Sequence, residues 1–189
     1  MAQVTSSQTV GPFFHRAMAE AGGNNLVQPQ TRGERIVIEG HVLDGDGAPV
    51  PDALIEIWQA NSEGRYDHRE DTQERLLDST FQGFGRSGTD DKGAFRFTTI
   101  KPGAVPGRGE KLQAPHINVV VFARGLLTHL YTRIYFPGEP LNASDAFLCA
   151  VPEARRQTLI AKVKEAAPER LYHFDIVLQG DNETVFFDI

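Results

Sequence analysis

The sequence predicts a mainly β protein, a β-sandwich with an N-terminal arm and one helix near the C-terminus. Three observations carry that reading. Short runs of β-branched and aromatic residues recur along the chain, as in 53–59 (Ala-Leu-Ile-Glu-Ile-Trp-Gln) and 95–100 (Phe-Arg-Phe-Thr-Thr-Ile). Clusters of turn formers separate them, among them Asp44-Gly45-Asp46-Gly47 and Asp90-Asp91-Lys92-Gly93. Only one stretch, 153–167, reads as a convincing helix. Many short strands joined by such turns bury their apolar faces best as two sheets packed together.

In order, residues 1–34 lack sustained periodicity. A polar lead, Ser6-Ser7-Gln8-Thr9-Val10, meets a Gly11-Pro12 turn and then Phe13-Phe14. Residues 16–21 are expected to form one or two helical turns, stopped by Gly22-Gly23. Two adjacent phenylalanines need a surface to cover, so 1–34 is read as an arm laid across a partner. The sandwich domain is expected over 35–189.

Its first strand contains Ile36, Ile38 and Val42 and ends at the Asp44 turn. That turn hints at calcium, but it lacks the later Glu of a calcium loop and lies between strands, so a plain turn is expected. Strand 53–59 follows, then a polar, irregular stretch over 61–83, then strand 95–100. A Pro/Gly-punctuated loop over 101–109 leads to an apolar strand over 116–123. Strand 129–136 places Leu130, Thr132 and Ile134 on one face and Tyr131, Arg133 and Tyr135 on the other. The helix 153–167 has Pro152 at its first turn and Leu159, Ile160 and Val163 as its apolar stripe. A last strand, 172–179, and an apolar tail, 184–189, close the sequence.

Composition excludes some function classes. The 189 residues carry a net charge of −6, with 40% hydrophobic and 23% charged residues, as in an ordinary globular domain. No basic block is long enough to follow a phosphate backbone, so nucleic acid is not an expected partner. The single Cys149 cannot form an internal disulfide and is read as a buried structural thiol. With no leader-like or membrane-spanning run, a cytoplasmic protein that engages no membrane is expected.

The most informative stretch is the strand from His116. Alternate residues share a face, so His116 and Asn118 point the same way. A His-x-His pair there would offer one metal two imidazoles, whereas the Asn118 amide is a weak, neutral donor for a hard trivalent ion. His116 therefore reads as a hydrogen-bonded structural histidine and Tyr66 as a packing residue. His15, His41, His68, His129 and His173 have no ligand spacing, and no metal is assigned to any of them. Arg133, by sequence alone, is an arginine whose stem lies over Tyr131 and Tyr135 on an outward face.

The ordered set Trp58-Gln59-Ala60-Asn61, Gly64-Arg65-Tyr66, Gly85-Arg86, Thr89-Asp90, Gly93, Phe97, Thr99-Ile100-Lys101-Pro102-Gly103 and Ala114-Pro115-His116-Ile117 resembles the intradiol ring-cleavage dioxygenases. The resemblance runs from about Ile36 to the C-terminus and implies their prealbumin-like β-sandwich. It also implies a non-haem iron(III) held by two tyrosines and two histidines, with an arginine nearby. Two of those ligands fall on Tyr66 and His116, but the others fall on Val105 and Asn118, and the arginine falls on Gln113. The resemblance therefore implies that Fe(III) is bound by a homologous β subunit and not by this chain.

Residues 7–13, with 174–176 and 183–188, resemble the family's α-type subunits. Their resemblance implies an αβ hetero-oligomer acting with O2 on protocatechuate (3,4-dihydroxybenzoate) and giving 3-carboxy-cis,cis-muconate. In that reading no catalytic residue lies in this chain alone. Thr9, Gly11 and Pro12 line the substrate pocket, and Arg133 supplies a charge to the carboxylate. Phe13-Phe14 and Phe186-Phe187 are expected to bury against β. A self-sufficient dioxygenase would need tyrosine at 105 and histidine at 118. The other alternative is a non-catalytic, transthyretin-like binding module, which has no use for the N-terminal motif or Arg133.

Overall fold

The computed structural model describes residues 4–11, 13–19, 22–107, 109, 111–164 and 170–188. Pro12, one of the expected pocket residues, lies outside them. Along the chain the strands are β1 (Arg35–Leu43), β2 (Leu54–Trp58), β3 (Phe84–Gly88), β4 (Ala94–Ile100), β5 (Val105–Pro106), β6 (Leu112–Gln113), β7 (His116–Phe122), β8 (Leu130–Tyr135), β9 (Lys162–Lys164), β10 (Arg170–His173) and β11 (Ile176–Val177). The α-helices are short: α1 (Phe14–Met18), α2 (Ala146–Ala150) and α3 (Glu153–Arg156).

Two sheets face each other across one core. In the first, β1 pairs antiparallel with β4 and parallel with β10 and then β11, while β9 extends β10. The second is antiparallel, in the order β3-β2-β7-β8. Alternation dictates the packing: Ile36 and Ile38 from β1 and Phe95 and Phe97 from β4 meet Ile55, Ile57, Ile117, Val119, Val121 and Ile134 from the other sheet. A buried polar pair joins the layers, since Thr99 Oγ1 donates to Gln59 Oε1 at 2.7 Å and Gln59 Nε2 donates to the Ile100 carbonyl at 2.9 Å. Both Asp-led turns form as expected, with Asp44 and Asp90 each accepting from the backbone N–H groups two and four residues on.

The residues before β1 close the sheet edges. Asn24 and Leu26 exchange backbone hydrogen bonds with Thr98 of β4, and Arg86 N–H of β3 donates to the Gly23 carbonyl. Helix α1 starts two residues earlier than the expected 16–21, and the Phe14 ring packs 5.5 Å from Phe122. Phe13 stays 71% exposed. Phe186 and Phe187, expected to bury against a partner, are partly buried and pack against this chain's own two hydrophobic clusters.

Over its described part, 153–164, the expected helix 153–167 is corrected to a single turn, and 165–167 lie outside the described residues. Helix α3 gives way to a 3₁₀ turn at Gln157–Leu159, and the chain is then extended through β9. Leu159 is fully buried, Ala161 N–H donates to the Tyr135 carbonyl at 2.9 Å, and β9 pairs with β10. Those long-range bonds outweigh local helix propensity. Strand 172–179 is likewise two strands, interrupted where Phe174 and Asp175 pass Gly40. A Cβ on Gly40 would lie 1.8 Å from the Phe174 carbonyl oxygen, so only glycine admits that approach. Strand β3, Phe-Gly-Arg-Ser-Gly, has no apolar period to announce it and is held by pairing with β2.

Residues 140–160 lie over the outer face of β7 and β8 and bury a second cluster of Ala114, Tyr135, Leu148, Val151 and Leu159. Cys149 sits in this layer but is exposed, which corrects the expected buried thiol: its helix α2 turns Leu148, not Cys149, inward. Among the described residues, no helix is long and apolar enough to cross a membrane.

Candidate functional site

Strand pairing builds the first candidate region. Trp58, Asn118 and Arg133 are direct cross-strand partners on β2, β7 and β8, so their side chains share the outward face of the second sheet. The irregular 61–83 segment brings Tyr66 onto this row, its ring stacked on Trp58 with centroids 5.6 Å apart. Asp71 fixes the approach, accepting from the Tyr66 backbone N–H at 2.8 Å. The β5–β6 hairpin supplies Val105 and Gln113 as the opposite wall. The result is an open cleft of about 430 Å³, lined by Trp58, Tyr66, Val105, Gln113, His116 and Arg133 among others.

Inside it the polar groups satisfy one another. His116 is buried and its Nδ1–H donates to the Ala114 carbonyl at 2.7 Å, which leaves Nε2 unprotonated. Asn118 Nδ2 donates to the Trp58 carbonyl and to the Tyr66 hydroxyl, both at 3.2 Å. Because a backbone carbonyl can only accept, the amide orientation is fixed, and its N–H edge faces the tyrosine oxygen. Arg133 Nη1 donates to Gln113 Oε1 at 2.8 Å, and the guanidinium lies 3.9 Å above the Phe147 ring.

Tyr135 donates to buried Asp145 at 3.0 Å, and Asp145 also accepts from the Ala114, Phe147 and Leu148 N–H groups, capping α2.

Electrostatics agree with that network. Burial raises the Tyr66 phenol, an effect only partly offset by the Asn118 bond and the Arg133 charge. Burial, with Arg133 adding to it, lowers His116 to about 4. Burial also pushes Tyr135 up. At neutral pH Tyr66 and His116 are thus both neutral and stand beside the Arg133 cation, while Glu70 and Asp71 also line the cleft.

This arrangement does not fit iron(III). Val105 has no donor atom, and Asn118 turns N–H groups where a ligand would turn a lone pair. The Arg133 guanidinium already applies a positive charge to both remaining donors, Tyr66 and His116. Of the four positions where the resemblance implies a ligand, only two keep a donor, and both face a resident cation, a set that does not fit a trivalent metal.

The second region lies at the other end of β7. Gly125 N–H donates to Thr9 Oγ1 at 2.8 Å, which docks the N-terminal segment on the β7–β8 loop. Gly11 lies in the same segment, and a Cβ built on it would meet nothing within 4 Å. Arg124 lies in sequence between Ala123 and Gly125, the two residues whose backbone Thr9 contacts, and its side chain is 56% exposed and paired with Asp52. Sequence reasoning missed Arg124, although an arginine directly after an apolar strand, followed by Gly125, marks a charge at a loop entrance.

The structure therefore separates the expected pocket residues. Thr9, with Gly11 two residues on, docks on the backbone either side of Arg124, while Arg133 faces the Tyr66 cleft. From Asn118 opposite Arg133 to Phe122 at the strand end is four residues, roughly 13 Å of strand.

Comparisons with known proteins agree with this fold. A dioxygenase family model matches residues 9–180. The chain is 42% identical to a protocatechuate 3,4-dioxygenase alpha chain of Pseudomonas putida, over 97% of this chain and 96% of that one. It is 41% identical to a protocatechuate 3,4-dioxygenase beta chain of Burkholderia cepacia, over 97% of this chain and 79% of that one. Among solved structures, the dioxygenase domain of a dioxygenase and carbohydrate-binding fusion protein from Streptomyces sp. SirexAA-E superposes with a TM-score of 0.66. It is 32% identical, with 94% of this chain and 99% of that one covered.

Proposed function

The chain belongs to the dioxygenase family, and from that premise we propose that it is the α chain of a protocatechuate 3,4-dioxygenase. The reaction is intradiol, O2-dependent cleavage of protocatechuate to 3-carboxy-cis,cis-muconate. Iron(III) on a homologous β chain supplies the activation of the bound catecholate toward O2. The observation that carries this reading is the Tyr66 cleft, where the two remaining ligand types, Tyr66 and His116, face a built-in arginine and the donor-free Val105.

What this chain contributes is a wall. Thr9, Gly11 and Pro12 form an edge presented to the partner's iron cleft. Gly11 leaves open space, and Thr9 offers a small hydroxyl to that surface. The charge that travels with this edge is Arg124. Its half-exposed guanidinium, steadied by Asp52, suits the substrate carboxylate. Arg133, the arginine expected for this role, is occupied by Gln113, Tyr135 and Phe147 in the chain's own cleft. Division between chains ties activity to assembly, because orientation and metal are complete only together.

Iron content and ring cleavage are to be measured for the chain alone and after co-expression with its β chain. The expected outcome is no iron and no cleavage alone, with both present in the complex. Stoichiometric iron in the chain alone would overturn the proposal.

A further inference from the structure

A second cluster of potential ligands sits on the opposite sheet and takes no part in the proposed dioxygenase role. His173 and Asp175 are two residues apart in the run that pairs in parallel with β1, and Glu39 is the partner of His173. Gly40 lets this run close against β1, which brings His41 beside it. The ring nitrogens of His41 and His173 and a carboxylate oxygen of Asp175 all lie within 4.8 Å of one another. His41 Nδ1 is 3.2 Å from Asp175 Oδ1, and His173 Nε2 is 2.9 Å from Asp175 Oδ2. The carboxylate does not swing freely, since the His41 backbone N–H also donates to Oδ1 at 2.9 Å.

From this geometry we infer that His41, His173 and Asp175 form a binding site for a divalent first-row metal of the Zn²⁺ class. Two imidazoles and one carboxylate are the donor types such ions take, and three protein ligands leave further positions for water. The site is reachable, because the His41, His173 and Asp175 side chains are 43%, 18% and 38% exposed. His41 and His173 border a cavity of about 650 Å³, whose walls also carry Glu39, Asp90 and Arg96. Lys162 lies across a second hollow beside His173 and Asp175.

Binding displaces the two N–H protons that now point at Asp175, so the metal competes with protons and two imidazole N–H···carboxylate bonds. His173 Nδ1 is buried with no partner among the described residues, and it must take the ring proton when Nε2 coordinates. That unsupported tautomer weakens the site relative to one with a hydrogen-bonded outer shell. The consequence of occupancy is structural, because the ion would clamp the β10–β11 run to β1.

The test is calorimetric titration of the tag-free full chain with Zn²⁺ at pH 7.5, repeated with Co²⁺ followed by visible absorption. The same titrations are run on His41→Gln, His173→Asn and Asp175→Asn. Asp175→Asn keeps an acceptor for the His41 backbone N–H and so guards against misfolding.

The expected result is one ion per chain, with at least about tenfold weaker binding in each variant and loss of the Co²⁺ band. In the αβ complex, the variants are expected to keep ring cleavage and iron content. Absence of stoichiometric binding to the wild-type chain overturns the inference, as does equal affinity in folded variants. Neither result bears on the α-chain assignment, which is read from iron content.

Discussion

The two ends of β7 use the same kinds of side chain in opposite ways. At its start, His116, Asn118, Tyr66 and Arg133 are locked into bonds made within the chain, and the layer from 140 to 160 presses on their surroundings. At its end, Arg124, Thr9 and Gly11 lie at the surface, and among the described residues nothing lies within 4 Å of a Cβ built on Gly11. A polar network satisfied internally supports a fold. At the strand end Thr9 and Arg124 are also bonded within the chain, but Arg124 keeps half of its surface exposed, where the proposed partner would meet it. On the proposed reading, the first is what the ligand positions have become and the second is the edge offered to the β chain.

The sharpest way to break the comparison is at Asp145. It is fully buried and accepts four hydrogen bonds from four different residues around the start of β7. Asp145→Ala leaves those donors unmatched and removes the α2 cap. Urea unfolding should register a loss of about 3–5 kcal/mol, the range for stranding a buried polar network.

A pH series comes next. The folded His116 pKa of about 4 lies below its ordinary 6.5. Between those values the unfolded chain takes up a proton that the folded chain refuses. Stability contributed by neutral His116 is therefore complete above about pH 6.5 and lost as pH falls toward 4, by about 3 kcal/mol. Urea midpoints at pH 7.5 and 4.5 should differ accordingly, and His116→Gln should flatten that part of the profile. An unchanged slope would mean the ring is not buried as described.

The two arginines divide the ends directly. In the αβ complex, Arg124→Ala should raise KM for protocatechuate about tenfold, the loss of one charge-assisted contact. It should alter KM for catechol, which lacks the carboxylate, much less. Arg133→Ala should leave that ratio near its starting value. The reverse result would return the carboxylate contact to Arg133.

The smallest effect expected on the isolated chain is that of Gly11→Ala. An added methyl meets nothing among the described residues, so the chain's thermal midpoint should stay within about 1 °C, as for neutral surface changes. Activity of the αβ complex should fall, because the partner occupies the space. Full activity in Gly11→Ala would place the arm elsewhere.

Much of this was legible before any coordinates. Alternation in 130–135 separated Leu130, Thr132 and Ile134 from Tyr131, Arg133 and Tyr135, and the shared face of His116 and Asn118 came from strand period alone. The Asp-led turns announced themselves through local side-chain to backbone bonds, which need no distant partner. Where local and distant bonding disagreed, sequence reasoning failed. Residues 157–164 have helix-compatible spacing, yet Leu159 is drawn into the second cluster and β9 into a ladder with β10. Exposure of Cys149 depended on which face of α2 the second sheet received.

By itself, then, the sequence determined the β-sandwich, the shared face of His116 and Asn118 and, at the ligand positions the resemblance implies, that Val105 and Asn118 are poor donors. Those depend on residue chemistry and on a two-residue period, both local properties. Only the tertiary structure decided that Arg133 occupies the cleft, that Thr9 docks on the backbone either side of Arg124, and that His41 meets His173 and Asp175. Each of those meetings joins segments far apart in the chain, through strand pairing, loop docking or a glycine close approach, and none of these leaves a periodic trace.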